Sequence, residues 1–221
     1  MWKQYFKNAT WTKRLAVLLA LTVLLTALTG LPGEALAAGT GTWTTVGTAG
    51  FSAINASFIS LAMDDGTPYV AYSDYDNNDR ATVMKYTGSG WETVGSPGFS
   101  AGDAWHTSLA MDDGTPYVAY RDGGDGGATV MKYTGTGWNT VGAAGVSAGT
   151  VGNTSLAMDD GTPYVAYWDD SDSDWTTPNK VTVMKYTGSG WEPVGTPGLS
   201  AGEAGYISLA IDDGTPHVAY A

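Results

Sequence analysis

The chain has 221 residues, no cysteine, and 22 Asp+Glu against 10 Lys+Arg, a formal net charge of −12. Lack of cysteine excludes disulfides, thiolate metal sites and a cysteine nucleophile; the acidic balance excludes electrostatic binding to nucleic acid or anionic membranes. Thirty-one glycines, 9 Trp and 13 Tyr, with no helical periodicity after residue 38, indicate all-β structure.

The first segment reads as a leader rather than as part of a fold. Lys3, Lys7, Lys13 and Arg14 form a basic start, and Leu15 to Leu28 is an uncharged apolar run of 14 residues. "GLPGEALAA" then supplies a breaker and the small residues Ala35 and Ala37 before a cut ahead of Ala38. That order predicts a secretory signal peptide over residues 1–37, and the apolar run is short of the roughly 20 residues that span a bilayer. The expected location is therefore secreted or cell-surface. The mature chain, 38–221, keeps 6 Lys+Arg against 21 Asp+Glu, a net charge near −15, which suits a cation or a neutral glycan as partner.

After "TWTTVG" (Thr42 to Gly47), one unit recurs. Trp43, Trp91, Trp138 and Trp191 stand 48, 47 and 53 residues apart, and the "DDGTP" motifs at Asp64, Asp112, Asp159 and Asp212 keep that spacing. Such a period signals a repeat architecture. Within a unit, "SLAM" and "PYVAY" flank an Asp-Gly turn and form a hairpin of strands a and b. A polar loop follows, then "ATVMKY", a "TGSG" turn and "WETVG" give strands c and d. Four short strands in about 48 residues predict the blade of a β-propeller. The blades cover 60–95, 108–142 and 155–195, with a partial unit at 208–221 and residues 42–47 as an orphan outer strand. The recurring methionines read as core filler.

The stretch "ISLAMDDGTPYVAYSDYDNNDRATVMKY" resembles the NHL-type propeller repeat, and it is similar to VAY-type repeats of bacterial surface proteins. The resemblance spans residues 42–220 and implies a propeller. It departs at Tyr72, Tyr120, Tyr167 and Tyr220, where the NHL pattern has Asp, and Asn78 and Arg80 match in the first unit only. The expected strands number fifteen, one short of four blades. The leading d strand would meet the last b strand in parallel order, against the antiparallel order of the other blades. The expectation is a fragment of a longer propeller, with an open arc or an incompletely closed ring as alternatives. An open arc would expose apolar faces and a sheet edge, inviting self-association.

Three segments match the G-x-S-x-G pattern of serine hydrolases: "GFSAG" (98–102), "GVSAG" (145–149) and "GLSAG" (198–202). They lie in linkers between blades rather than between a strand and a helix, so the expectation is a repeated turn. The acidic b–c loops, "DYDNND" and "DDSDSD", read as Asx-type turns; calcium binding is the alternative, with Asp170, Asp172 and Asp174 as ligands. Otherwise no cofactor is expected. In the paired Asp of each a–b turn, the first Asp is expected to cap its own turn.

The informative positions are those where the copies differ. Two residues before each repeat serine stand Phe58, His106, Asn153 and Tyr206, with Trp105 beside His106. The d–a linkers and b–c loops emerge at one end of a propeller, so these residues gather with Tyr75, Arg121, Trp168 and Trp175. The candidate ligand-binding set is Phe58, Trp105, His106, Asn153, Trp168, Trp175 and Tyr206. Aromatic platforms beside amides and carboxylates suit the apolar face and hydroxyl rim of a sugar. No acid, base and nucleophile set stands out, so no catalytic residue is assigned. The leading expectation is a binding or adhesion module for a glycan or an extracellular protein. The alternatives are a propeller-type glycan hydrolase or lyase, and a structural spacer in a longer surface protein.

Overall fold

A computed structural model describes residues 42–52, 55–170 and 179–221, the side chain of Asp170 excepted. The chain divides into Met1–Thr44 and Thr45–Ala221, and the strands belong to the second unit. The expected leader lies outside the described residues. Among the described residues, no helix is long and apolar enough to cross a membrane.

The fold is all-β and propeller-like. Blade I comprises β1 (Ala56–Asp64), β2 (Thr67–Asp74), β3 (Arg80–Tyr86) and β4 (Trp91–Thr93). Blade II comprises β5 (Ala104–Asp112), β6 (Thr115–Asp122), β7 (Ala128–Tyr133) and β8 (Trp138–Thr140). Blade III comprises β9 (Thr150–Asp159), β10 (Thr162–Asp170), β11 (Lys180–Tyr186) and β12 (Trp191–Pro193). Blade IV holds β13 (Ser208–Asp212) and β14 (Thr215–Ala219). Strands pair with their sequence neighbours, antiparallel throughout, as hairpins joined by short turns require.

The a–b hairpins turn through Asp-Gly. In blade I, Asp64 pairs with Thr67, leaving Asp65 (φ 42°) and Gly66 (φ 78°) as a two-residue loop with both φ positive. This is the type I′ geometry that matches the twist of a hairpin. The first Asp of the pair does not cap its own turn, contrary to expectation. Asp112 Oδ1 instead accepts from Gly161 N of the next blade, at 3.2 Å. The reach across blades follows from the radial stacking, which brings consecutive turns side by side.

The core lies between blades. Ala71, Ala81 and Val83 of blade I meet Leu109, Val118 and Tyr120 of blade II. Ala119, Ala128 and Val130 of blade II meet Leu156, Val165 and Tyr167 of blade III. The repeat serines tie inner strands together: Ser60 Oγ, Ser108 Oγ and Ser155 Oγ accept from the amides of Leu109, Leu156 and Leu209, each at 2.9 Å. Outer edges are tied by tryptophan, with Trp138 Nε1 donating to Val94 O and Trp191 Nε1 to Val141 O, both at 2.8 Å.

Three expectations need correction. Residues 42–47 form no strand, so fourteen strands are described rather than fifteen. No strand c lies beside them to offer a ladder, yet Val46 O still accepts from Trp91 Nε1 at 3.1 Å, and Phe51 stacks on Trp91 at 4.3 Å. Residues 46–51 thus keep the edge packing of an outer strand without its backbone pairing. On β1, Ile59, Leu61 and Met63 are 65, 63 and 56% exposed, because no described blade precedes it. Met63 is accordingly not core filler, whereas Met84 and Met131 are buried.

Candidate functional site

The linkers and b–c loops share one end of the propeller because backbone hydrogen bonds join them. The amides of Ala104, Val151 and Ala204, at the start of each inner segment, donate to the carbonyls of Asp79, Gly126 and Asn179 in the preceding blade's loop, each at 2.8 Å. These bonds place the starts of the inner segments beside the preceding blade's b–c loop.

At this end, the inner strands of blades I, II and III carry a bulge at the same place, and the equivalent residue of blade IV precedes β13. Register shifts fall between Ser57 and Ser60 in β1 and between Trp105 and Ser108 in β5. The residues at this position, Phe58, His106, Asn153 and Tyr206, have φ of 50, 54, 48 and 46°. Left-handed backbone costs a non-glycine residue about 1 kcal/mol or more, so something must hold it. The Thr107 and Thr154 hydroxyls donate to the carbonyls of Phe58 and His106, locking each bulge to the next blade. Ile207 stands where a third threonine would be, so Asn153 has no such clasp.

The bulges bring the variable residues together in pairs. Phe58 and His106 lie with ring centroids 4.6 Å apart. Burial, with the Arg121 charge adding, holds His106 below the ordinary imidazole range, so it is neutral at physiological pH. Beside it, Trp105 pairs across the ladder with Arg121, whose guanidinium carbon sits 4.6 Å from the indole centroid. The corresponding pair in blade III is Gly152 and Trp168, with the indole supplied by the opposite strand. Between blades III and IV, Asn153, Trp168, Asn179, Glu203 and Tyr206 line an open cleft of about 460 Å3, whose floor includes Gly205 and Ala221. Tyr206 is 84% exposed there.

Of the expected ligand-binding set, Phe58, Trp105 and His106 gather on blades I and II, and Asn153, Trp168 and Tyr206 on blades III and IV. Trp175 lies outside the described residues, as do Asp172 and Asp174 of the expected calcium set. Asp170 ends β10, and its side chain is likewise outside the description. Among the described residues, no cluster of three or more His, Asp or Glu is arranged to hold a metal. The first acidic loop is a turn: Asp74 is buried and accepts from Asp76 N, Asn77 Nδ2 and Thr82 Oγ1. In blade II, Asp122 Oδ1 accepts from Gly124 N and Asp125 Oδ1 from Gly127 N, as Asx turns do.

The G-x-S-x-G serines are structural. Ser100 Oγ accepts from Ala81 N at 2.9 Å and donates to Gly102 O at 2.6 Å; Ser147 and Ser200 repeat the pattern. A hydroxyl so committed, and 2% exposed at Ser100 and Ser200, is no nucleophile. Sequence reasoning missed Gly152, Asn179 and Glu203. Gly152 stands where blades I and II have Ser57 and Trp105 and blade IV has Gly205, so the sequence alone does not single it out.

The fold and its decorated end define a propeller with an open, aromatic and polar face. Comparison with solved structures agrees on the fold. A thermostable family-43 glycoside hydrolase matches with a TM-score of 0.53 at 16% identity, over 75% of this chain and 63% of its own. An endo-1,4-beta-xylanase from Bacteroides thetaiotaomicron matches at 0.49 and 16%, over 80% of this chain and 69% of its own. A polysaccharide lyase of family PL25, an ulvan lyase, matches at 0.49 and 14%, over 72% and 44%. The chain spans less than two thirds of the length of the family-43 hydrolase and of the lyase. The likeness to the family-43 hydrolase supports a propeller without singling out the NHL-type or VAY-type repeats. No family model matches the chain, and comparison with curated proteins finds no match.

Proposed function

We propose that this chain belongs to a carbohydrate-acting propeller whose loop face holds a glycan. The observation that carries the reading is the cleft between blades III and IV. Trp168 and Tyr206 offer aromatic surface there, Asn153 and Asn179 offer amides, and Glu203 offers a carboxylate. A sugar ring has an apolar face and a rim of hydroxyls, and this is the pairing of surfaces that takes it. The leader-like start, read from sequence, supports an activity outside the cell.

Binding is the step common to two outcomes, holding the glycan and cleaving it. Cleavage, as a glycoside hydrolase or a lyase, is supported by the likeness in fold to the family-43 hydrolase and by Glu203 in the cleft. Glycoside hydrolysis uses two carboxyl groups, and the described lining supplies one. Holding is supported by the aromatic lining alone.

A panel of purified plant and bacterial polysaccharides tests both. Binding that is lost in Trp168→Ala and Tyr206→Ala supports the cleft as the sugar site. Release of new reducing or unsaturated ends, abolished by Glu203→Gln while binding persists, identifies the enzyme. Binding without release identifies the adhesive form. Unaltered binding in both aromatic variants removes the cleft from consideration.

A further inference from the structure

The cleft leaves the class of sugar open, and the neighbouring blade narrows it. We infer that the glycan carries an oxyanion, a uronate carboxylate or a sulfate ester, and that Arg121 is its anchoring cation. This rests on the carbohydrate reading above.

Arg121 is the penultimate residue of β6 at the loop end, at a repeat position occupied by Ser73 in blade I, Trp168 in blade III and Ala221 in blade IV. A single copy has a cation here, in a chain of strongly negative charge. Its Nε is buried and has no hydrogen-bond partner. That atom is closed to solvent, so a ligand meets the guanidinium at its terminal Nη1 and Nη2, which are not among the buried unpartnered atoms. The adjacent carboxylates do not serve it through the hydrogen bonds they make: Asp122 and Asp125 bond the amides of Gly124 and Gly127 in their own loop.

Trp105 backs the guanidinium from across the ladder. An indole face holds the cation by charge–quadrupole attraction while leaving the terminal Nη1–Nη2 edge of the guanidinium for a partner. Such a fork matches the two oxygens of a carboxylate or sulfate in bidentate fashion. His106, next in the chain and also near the Arg121 charge, adds a polar ring without a second positive charge. The site is thus built for one negative group. The Asn153, Trp168 and Tyr206 cleft on the following blade offers a surface for an adjoining sugar ring.

The purified chain is titrated by calorimetry with polygalacturonate, dextran sulfate and neutral arabinan, at low and raised salt. The expected result is binding of one anionic polymer about tenfold or more tighter than arabinan, weakened by salt. Preference for polygalacturonate names a carboxylate; preference for dextran sulfate names a sulfate. Arg121→Gln should abolish the preference, and Arg121→Lys should retain part of it. Free galacturonate should displace polygalacturonate from the wild-type chain better than galactose does, a comparison independent of how the variants fold. Equal affinity for arabinan and both anionic polymers, or an Arg121→Gln variant that still discriminates, overturns the inference and leaves the carbohydrate reading standing. No binding of any polymer overturns both.

Discussion

The indole of Trp168 occupies the space that a side chain at Gly152 would need: a Cβ built there would lie 2.1 Å from Cζ2 and 2.3 Å from Cε2. The two residues are ladder partners in β9 and β10, so the ring crosses its own sheet at the bulge. In blade II the same pair is Trp105 and Arg121, and there the indole rises from the inner strand instead. Each of these blades therefore presents one indole at the loop end, but from opposite strands. Gly152→Ala is expected to expel Trp168 from its seat. Near-ultraviolet circular dichroism should change, and glycan binding should fall as far as it does in Trp168→Ala. A variant with unaltered spectrum and binding would show that the ring does not rest on Gly152 in solution.

The repeat leucines test the openness of blade I. Leu156 is 6% exposed between blades II and III, whereas its counterpart Leu61 is 63% exposed. Leu156→Ala should destabilise the fold by about 2–5 kcal/mol in urea unfolding, through lost transfer energy and a cavity. Leu61→Ala should change it by no more than about 0.5 kcal/mol. Equal losses would mean that the front face of blade I is covered in solution.

Ser100→Ala separates the structural serine from the catalytic one. The change strands the buried Ala81 amide and frees the Gly102 carbonyl, for a loss of about 1–3 kcal/mol. A fluorophosphonate that labels serine hydrolases should leave Ser100, Ser147 and Ser200 unmodified. Labelling of any of the three, read by mass spectrometry, would reverse the assignment.

Buried tyrosines give the fold an alkaline limit. Tyr72 donates to Met84 Sδ at 3.4 Å, and burial, then the charges of Asp74 and Asp76, push its hydroxyl up to about 12. An unfolded tyrosine ionises near pH 10. The folded state therefore holds this proton more tightly. The resulting stability is complete below about pH 10 and is lost as pH rises toward 12. Tyr120 and Tyr167 are raised in the same direction, chiefly by burial. Urea midpoints at pH 8 and pH 11 should fall less in Tyr72→Phe than in the wild type. Identical falls would remove Tyr72 from the alkaline transition.

Much of this protein was legible from one chain because its information is local and repeated. The Asp-Gly turns, the short apolar run "YVAY" and the 47- to 53-residue period specify hairpins, blades and their order without reference to distant contacts. The positions that vary between copies were also readable, since Phe58, His106, Asn153 and Tyr206 stand out against near-identical neighbours.

What only the tertiary structure decided is how those positions combine. At Phe58 and His106 the left-handed backbone is tied to a threonine of the next blade, a contact between residues 48 or 49 apart. The seating of Trp168 on Gly152 and the backing of Arg121 by Trp105 likewise require the ladder register. So does the separation of a buried Leu156 from an exposed Leu61 with the same local sequence. Local pattern determines strands and turns because backbone preference and side-chain period act over a few residues. Burial, unpaired charge and the shape of a cleft depend on which blade lies alongside, and that is settled only when the blades stack.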